Sequence, residues 1–387
     1  MSGSYVLAAL RTPIGNFGKG LAGVAAPDLG AVLIREFLAR GVCVATGVDE
    51  VVLGNVVQAG LGMNPARQAA ARGGLPYDVP SYTVNMVCAS GLQAILLADQ
   101  AICCRRAETV IAGGFESMSR APFFLPDQRW GTPVGHGRVL DGLLLDGLWD
   151  CFYDCHMATT VETLAATRGI SRRAQDEFAV ESHRRAIAAI EAERFSEEIV
   201  GVSVGPALLE RDEHPRADCS LEKLSNLKPA FARDGTITAG NSSGLNDGAA
   251  VALLSLRRTG NGRKAIAQIV DSTVVGVDPM EMGLAPVPAI RRLLLRNSLT
   301  LSDIDLWEIN EAFSAQALAV LSELRLPADR VNVNGGAIAL GHPIGASGAR
   351  ILVTLIHEMR RRGVELGVAS LCVGGGLGIA ALVRLVP

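Results

Sequence analysis

The stretch VNMVCASGLQAILLADQAI, residues 84–102, decides the fold of the chain around it. Its apolar start, with Val84, Met86 and Val87, predicts a buried strand. The apolar residues that follow recur at helical spacing: Leu92, Ile95, Leu96 and Ile102. Cys88 therefore falls at or just before the first turn of a helix, where unpaired N–H groups and the positive end of the helix dipole favour a thiolate. A small buried thiol at a tight turn is the plainer alternative.

The composition indicates a large α/β protein with a well-buried core. Hydrophobic residues make up 49% of the 387 residues and charged residues 19%, and there are 43 glycines. These values argue against disorder, and the length leaves room for two or three domains or a duplicated one. The net charge of −3 favours neither nucleic acid nor an anionic membrane as a partner.

Neither a secretory signal nor a membrane span is expected. No lysine or arginine precedes Arg11, so residues 1–10 lack the basic start of a secretory signal. Residues 366–383 carry no charge and imitate a transmembrane span. The glycines at 374–376 divide that stretch into two apolar parts of strand length, so we expect two buried strands around a glycine turn.

The eight cysteines show no spacing typical of a disulfide framework, and a chain of this length needs none. We therefore expect a reducing, cytoplasmic location. Cys151, Cys155 and His156 lie close enough in sequence to suggest zinc. No second ligand pair stands at metal-site spacing, so we expect no metal.

Strand-like and helical stretches alternate along the chain, which predicts parallel or mixed sheets covered by helices. Residues 27–41 predict a helix, with Pro27 near its start and Gly41 just past its end. Buried strands are predicted at residues 50–55, 108–114, 303–310 and 366–376.

The first and last parts of the chain repeat one pattern. Three pairs of stretches correspond: CASGLQAIL (88–96) with GASGARIL (345–352), VIAGG (110–114) with LCVGGG (371–376), and DEVVLGN (49–55) with DLWEIN (305–310). The common offset of about 255 residues predicts an internal duplication. Equivalent loops of the two halves would then gather near a pseudo-twofold axis.

Residues 118–245 differ in character from both halves because they are rich in loops. One amphipathic helix stands out at 171–195, capped by Ser171. Its apolar side is marked by Phe178, Ile187 and Ile190. We interpret this segment as a lid or substrate-binding insertion.

Three reactive or polar side chains stand where predicted strands end or glycine-rich turns begin: Asn310, His342 and Cys372. The duplication would bring these turns together with Cys88. A thiol nucleophile needs a base such as imidazole to take its proton, and a second cysteine could act as another base. Taken singly, a helix cap, a turn hydrogen bond and a core filler are the plainer explanations. Together, in a duplicated fold, the residues favour catalysis.

Six blocks of this sequence resemble, in order, the signature blocks of the thiolase family. They are NMVCASG (85–91), AGGFESMS (112–119), GNSSGLNDGAA (240–250), NEAF (310–313), GHPIGASG (341–348) and CVGGGLG (372–378). The resemblance runs from residue 10 to the last predicted strand, and a chance match of six ordered blocks is no serious rival.

The resemblance implies a duplicated thiolase fold with five αβαβα layers. The N-terminal half would span residues 1–117, an inserted loop domain 118–245 and the C-terminal half 261–387, with 246–260 closing the first half. The resemblance also implies a Claisen condensation, or its reverse, on coenzyme A thioesters. No prosthetic group is implied, and the usual assembly is a homotetramer built from dimers.

Roles for five residues follow from the same resemblance. Cys88 matches the acylated nucleophile, and His342 matches the base that activates it. Cys372 matches the acid/base that acts on the α-carbon of the second acyl group. Asn310 matches the residue that holds a water, which with His342 forms one oxyanion hole. The N–H groups of Cys88 and Gly374 match the other hole.

The stretch GLWDCFYDCHMATTVETLA (147–165) resembles the covering loop of the biosynthetic acetoacetyl-CoA thiolases, including adjacent His156 and Met157. The bulk of Met157 would shorten the acyl pocket, which favours the condensation of two acetyl-CoA molecules. The CoA site implied by the resemblance is lined by Leu148, His156, Arg216 and Ser243, and the acyl pocket by Met282 and Ala312. A solvated surface charge is an equal alternative for Arg216.

Four residues depart from the expected pattern at positions we expect near the acyl pocket: Trp149, Cys151, Cys155 and Ala285. A 3-ketoacyl-CoA thiolase for longer or branched chains is therefore an alternative. A ketoacyl synthase would carry a second histidine in place of Asn310 and would lack Cys372. A non-catalytic CoA-binding homologue would have little reason to keep Cys88, Asn310, His342 and Cys372 together.

Overall fold

Two sheets with matching strand order form the framework of the chain. They are seen in a computed structural model, which describes residues 3–386. Met1 and Ser2, part of the N-terminal stretch considered above, and Pro387, at the end of the predicted C-terminal half, lie outside the described residues.

The strands of the described residues are β1 (Tyr5–Arg11), β2 (Gly15–Asn16), β3 (Glu50–Gly54), β4 (Ser81–Val84), β5 (Thr109–Ser117), β6 (Phe123–Phe124), β7 (Leu140–Asp141), β8 (Trp149–Asp150), β9 (Cys155–His156), β10 (Val202–Val204), β11 (Ala207–Leu209), β12 (Asn246–Ser255), β13 (Thr259–Gly260), β14 (Arg263–Lys264), β15 (Ala267–Gly276), β16 (Leu306–Ile309), β17 (Leu366–Val373) and β18 (Leu377–Leu385). Their α-helices are α1 (Ala26–Ala39), α2 (Pro65–Arg72), α3 (Ser90–Cys103), α4 (Met157–Arg168), α5 (Arg172–Glu191), α6 (Leu221–Ser225), α7 (Pro286–Arg296), α8 (Ser314–Leu324), α9 (Ala337–Leu340) and α10 (Ile344–Arg362).

The same topology occurs in both halves. The strands of the first half run in the order β1-β12-β5-β3-β4, and those of the second in the order β15-β18-β17-β16. A bridge from Trp307 to Val331 extends the second sheet. Each sheet begins with antiparallel pairs and ends with parallel ones. The two sheets are joined into one continuous ten-stranded sheet where β1 pairs with β15, at Tyr5 with Gln268 and Val6 with Ala267, and β2 pairs with β12.

The helices and sheets form five layers. Helices α3 and α10 pack between the sheets, α1 and α2 cover the outer face of the first sheet, and α7 and α8 lie on the outer side of the second half. Three large apolar clusters fill the spaces between these layers. The predicted αβαβα arrangement is therefore confirmed, because each amphipathic helix and each sheet face finds an apolar partner.

The two halves differ mainly in one connection. Strand β5 ends at Ser117 and β12 begins at Asn246, so the whole stretch between them leaves and re-enters the first sheet. The equivalent strands of the second half, β17 and β18, are joined only by residues 374–376. The residue boundaries given above for three domains stay a prediction.

The uncharged stretch 366–383 forms the hairpin of β17 and β18, in agreement with the prediction of two buried strands. Among residues 3–386, no helix has the length and apolar character needed to cross a membrane.

Two details differ from the sequence predictions. Strand β4 ends at Val84, and Met86 and Val87 lie in a turn instead of a buried strand, with Val87 in the left-handed region at φ 46°. The buried face of α5 also carries small and polar residues, while Phe178, Ile187 and Ile190 are only half-buried. Close packing explains this face, because a Cβ at Gly335 would lie 2.8 Å from the Cβ of Ala186.

A buried ion-pair cluster fastens the insertion to the first sheet. Arg11 on β1 is fully buried and donates to Glu198 at 2.6 Å and to Asp212 at 2.7 and 2.9 Å. Asp212 also accepts from the N–H of Ile14. Since removing one partner would leave a buried charge unpaired, these contacts hold the insertion in one position over the sheet.

Candidate active site

Cys88 lies in a tight turn between β4 and α3. The N–H of Met86 donates to the hydroxyl of Ser90 at 2.8 Å, and that hydroxyl donates to the carbonyl of Val87 at 2.7 Å. These two bonds close the turn around the left-handed Val87 and place Cys88 two residues before the helix. A residue held in such a conformation marks a functional constraint.

The turns that carry the predicted catalytic residues converge on one cavity of about 600 Å³. Cys88, His342, Cys372 and Gly374 all line it. So do the residues predicted for the CoA site and the acyl pocket: Leu148, His156, Met157, Arg216, Ser243, Met282 and Ala312. Asn310 is not on the cavity wall, and its amide nitrogen lies 3.5 Å from Nε2 of His342. The sequence prediction thus names residues that the fold brings together.

The hydrogen bonds of His342 define which ring nitrogen is free. The Ser347 hydroxyl donates its only hydrogen to the carbonyl of Pro343 at 2.9 Å, so it accepts from Nδ1 of His342 at 2.6 Å. Nε2 therefore carries the lone pair. Burial, with a smaller effect from Arg350, lowers the pKa of His342 to about 3. The ring is neutral at pH 7 and can act as a base.

The state of Cys88 differs from the thiolate that its place before a helix predicts. Burial raises the pKa of Cys88 to about 11, although hydrogen bonds from the N–H groups of Gly374 and of Cys88 itself lower it. The desolvation of a charge outweighs the helix terminus here. The thiol is protonated at rest, so its sulfur needs a base to become a nucleophile, and neutral His342 lines the same cavity.

Cys372 is the second thiol of the cavity and is also buried. Its pKa is raised strongly by burial and further by the nearby Cys88. A thiol of high pKa gives a strongly basic thiolate once it is deprotonated. Its position beside Cys88 fits a group that exchanges protons with the same bound substrate.

Aromatic and apolar side chains form one wall of the cavity. His156 stacks on Phe231 with ring centroids 4.6 Å apart, and Phe231 meets the edge of Phe313. Met157 lies close to Gly374, where an added Cβ would come within 2.3 Å of the methionine methyl carbon. Sequence reasoning assigned no role to either phenylalanine. Phe313 could have been found from its place in NEAF, but nothing local marks Phe231.

Basic groups surround another part of the cavity wall. Lys19, His214 and Arg216 line it, and the N–H of Arg216 donates to Nδ1 of His183 at 3.1 Å. Burial and the charge of Arg216 lower the pKa of both histidines to about 4. The positive charge of this wall therefore comes from Lys19 and Arg216, which suits a phosphate-bearing ligand.

The residues that depart from the family pattern lie away from the cavity wall, contrary to the expectation for the acyl pocket. Trp149 is part-exposed, and its indole N–H donates to Asp154 at 2.9 Å. Cys151 is exposed, and neither Cys155 nor Ala285 lines the cavity. The covering loop turns Trp149 and Cys151 outward, while the end of its short β8–β9 hairpin and the start of α4 place His156 and Met157 on the cavity wall. Ala285 is fully buried before α7.

Metal ligands are a separate question. Within residues 3–386, no three His, Cys, Asp or Glu side chains are grouped so as to hold a metal ion, and the cysteines form no disulfide there.

Family models match nearly the whole chain. The model of the thiolase N-terminal domain matches residues 4–258, and that of the thiolase C-terminal domain matches residues 263–385. The chain belongs to the thiolase family, as its six sequence blocks predicted.

Several relatives match over almost the whole length of the chain. An acetyl-CoA acetyltransferase of Pseudomonas aeruginosa is 51% identical over 98% of each chain. A probable acetyl-CoA acyltransferase of Staphylococcus aureus is 49% identical over 99% of each. The crystal structure of the Bacillus anthracis acetyl-CoA acetyltransferase is similar with a TM-score of 0.97 at 45% identity, covering 100% of this chain and 99% of that one.

The dependence of Cys88 on its base can be measured by alkylation. At pH 7, His342→Ala should slow the reaction of Cys88 with iodoacetamide by about tenfold or more, because the thiol then loses its proton acceptor. In this variant the rate should rise with pH through pH 9, since the pKa of Cys88 is about 11. Peptide mass spectrometry follows each cysteine, with exposed Cys151 as the internal control. Equal slowing of both cysteines would contradict the pairing.

Proposed function

We propose that this protein is an acetyl-CoA C-acetyltransferase, which reversibly condenses two acetyl-CoA molecules to acetoacetyl-CoA and CoA through an acyl-cysteine. The observation that carries the proposal is the convergence of Cys88, His342 and Cys372 on one cavity. The names of the relatives, acetyl-CoA acetyltransferases at about half identity, support the same chemistry.

The first half-reaction moves an acetyl group onto Cys88. Nε2 of His342 takes the thiol proton, and the sulfur attacks the thioester carbonyl of acetyl-CoA. The carbonyl oxygen gains negative charge. The N–H groups of Cys88 and Gly374 can stabilise this charge, since both groups hydrogen-bond to the Cys88 sulfur and so lie beside the reacting carbon. CoA leaves as a thiol because the protonated His342 gives it the proton taken from Cys88, which returns His342 to its neutral form. Because attacking and leaving thiols are alike, this transfer is nearly balanced and reversible.

The second half-reaction forms the carbon–carbon bond. The Cys372 thiol first passes its proton to Nε2 of His342, and the thiolate then removes a proton from the α-carbon of a second acetyl-CoA. The resulting enolate attacks the acyl carbon on Cys88, the carbon–sulfur bond to Cys88 breaks, and the Cys88 sulfur regains a proton from His342. The high pKa of Cys372 suits this task, because the α-proton of a thioester is itself a weak acid. Asn310 and His342 would stabilise the enolate oxygen, Asn310 through a bound water.

Binding of CoA is assigned to the cavity wall outside this centre. We infer that Arg216 and Lys19 meet its phosphates, that Leu148, His156 and Ser243 line its pantetheine, and that Met157, Met282 and Ala312 bound the acyl group. The reaction proposed above needs no prosthetic group and no metal, since side chains and backbone N–H groups of the protein supply the base, the nucleophile and the oxyanion donors for every step.

The short acyl pocket is favoured over one for longer or branched chains. Met157 lies against the glycine turn beside Cys88, and the unusual residues Trp149 and Cys151 are outside the wall. We therefore assign two-carbon acyl groups to this pocket. We also propose that the enzyme acts in lipid metabolism in the cytoplasm, with CoA thioesters as its partners and with neither nucleic acid nor membrane.

We also infer a homotetramer built from two dimers. A projecting segment, residues 122–139, carries apolar side chains that one chain leaves in water: Phe123, Leu125, Trp130, Val134 and Val139. Exposed apolar clusters of this kind suit a contact between copies.

Light scattering should give the mass of four chains. Trp130→Ser should reduce the measured mass because it removes an apolar contact between copies, whereas Leu295→Ser, at an exposed apolar residue outside the segment, should leave it unchanged. A monomer of native sequence would contradict this inference.

The length of the acyl chain gives the first test of substrate. Efficiency of CoA-dependent cleavage should fall by about tenfold or more, about 1.4 kcal/mol, from acetoacetyl-CoA to 3-ketooctanoyl-CoA. Met157→Ala should narrow this gap because it removes the side chain that closes the pocket. Equal efficiency of the unaltered enzyme on both substrates would instead favour the longer-chain alternative.

The two cysteines can be separated by the step that each serves. Cys372→Ala should still take an acetyl group from acetyl-CoA on Cys88, seen as a mass increase of about 42 Da, because that step removes no carbon-bound proton. Condensation and thiolysis should fall by about 10²–10⁴.

Cys88→Ala is the matched control and should lose both the mass increase and turnover. Near-native condensation by Cys372→Ala would overturn the assignment. So would a folded Cys372→Ala that cannot be acetylated, since Cys372 would then act in the first half-reaction.

A further inference from the structure

Glu116 is a fully buried carboxylate that the proposed reaction does not use. It stands next to the last residue of β5 and accepts four hydrogen bonds. Their donors are the side-chain amide of Asn55 at 2.6 Å and the backbone N–H groups of Val56 at 3.0 Å, Val57 at 3.3 Å and Gly345 at 3.0 Å. Four donors aimed at one carboxylate, without a cation among them, make an anion hole.

The strand register shows how this hole relates to the active site. In the first half, Gly54 of β3 pairs with Gly114 of β5. Asn55 follows that pair by one residue and Glu116 by two. In the second half, the equivalent strands pair Ile309 of β16 with Ser370 of β17.

The residues assigned to catalysis in the second half follow their strand pair by the same numbers of residues. Asn310 comes one residue after the pair and Cys372 two residues after it, so Asn55 is equivalent to Asn310 and Glu116 to Cys372. The opposite strands agree, because Glu116 pairs across the sheet with Gly248 and Cys372 with Gly378.

The two central helices complete the relation. In the sequences CASG and GASG, which open α3 and α10, Cys88 corresponds to Gly345. Equivalent residues that precede the insertion are 255 to 257 positions apart, whereas Gly248 and Gly378, on the strands that follow it, are only 130 apart because the second half has no insertion. The duplicated fold therefore contains a second, pseudo-symmetric copy of the active site, in which a carboxylate stands in place of the catalytic thiol Cys372 and a backbone N–H in place of the nucleophile.

We propose that Glu116 is a positioning residue, whose carboxylate fills this second copy as an internal anion and thereby holds the turns of Cys88 and His342 in register. Through Gly345 it fixes the first turn of α10. Through Val56 it reaches the Cys88 turn, because the carbonyl of Val56 accepts from the side chain of Asn85 at 3.5 Å.

The link from Gly345 to catalysis runs through one helical turn. Ser347, two residues further along α10, holds Nδ1 of His342 and so orients the nitrogen that takes the Cys88 proton. If the anion is removed, four buried donors lose their acceptor and that turn shifts to satisfy them. A displacement of about 1 Å between base and nucleophile can cost about 10² in rate.

The experiment restores the anion from solution. The inference rests on the proposed thiolase activity, so condensation by the native enzyme is measured alongside. At pH 8, above the pKa of about 7 to which burial raises Glu116, Glu116→Ala should lower kcat by about tenfold or more with little change in KM. Sodium formate, one carboxylate in size, should recover much of the lost kcat and raise the Tm of this variant, whereas sodium chloride at equal ionic strength should do neither.

Glu358→Ala is the control for simple destabilisation. Glu358 is a buried carboxylate on the same helix α10, bonded to Asn334, Arg361 and Arg362 instead of the site. Its kcat per folded enzyme should match the native value and should not respond to formate.

Each result decides one question. A native kcat for folded Glu116→Ala, or formate no better than chloride, overturns the positioning role. If that variant does not fold, Glu116→Gln replaces it. The glutamine amide keeps the volume of the glutamate, but its NH₂ group faces the N–H donors that the carboxylate accepted from. For this variant kcat should therefore fall and formate should not restore it, and a native kcat overturns the positioning role. An inactive native enzyme would refute the thiolase activity and leave the formate-dependent rise in Tm as the test of the anion hole.

Discussion

The close approach of two helix N-termini at the centre of the molecule is the constraint on which the rest depends. Helices α3 and α10 pack between the sheets so tightly that a Cβ at Gly114 would lie 2.1 Å from the carbonyl oxygen of Gly345, and one at Gly91 2.9 Å from it. Only residues without side chains permit this contact. It sets Cys88 beside the glycine-rich turn of the other half, and the active site forms where the two halves meet.

Burial then decides the chemistry of the site. Desolvation holds both Cys88 and His342 in their neutral forms, because a thiolate–imidazolium pair would cost more in a buried site than in water. The proton therefore moves when substrate is present and new donors face the developing charge. The same burial raises the pKa of Cys372, so that thiol is also protonated at rest and its thiolate, once formed, is strongly basic.

The duplication would give two equivalent sites, but only one carries reactive thiols. Cys88 and Cys372 line the cavity, whereas at the equivalent positions of the other half-site the N–H of Gly345 donates to the carboxylate of Glu116. The insertion is also asymmetric. It leaves the first sheet between β5 and β12, and its covering loop brings His156 and Met157 over the single reactive side.

Local pattern in the sequence determined several long helices and buried strands and the duplication, and it indicated Cys88 and its partners as candidates, because periodicity and small-residue turns depend on neighbours in the chain. Local pattern gave the wrong prediction where contacts between residues far apart in the chain set the conformation or the burial of a side chain. The left-handed Val87, the small buried face of α5 and the outward Trp149 follow from packing between elements. Tertiary structure alone decided that Cys88 is protonated at rest, since the helix terminus is a local feature whereas desolvation is imposed by the whole surrounding fold.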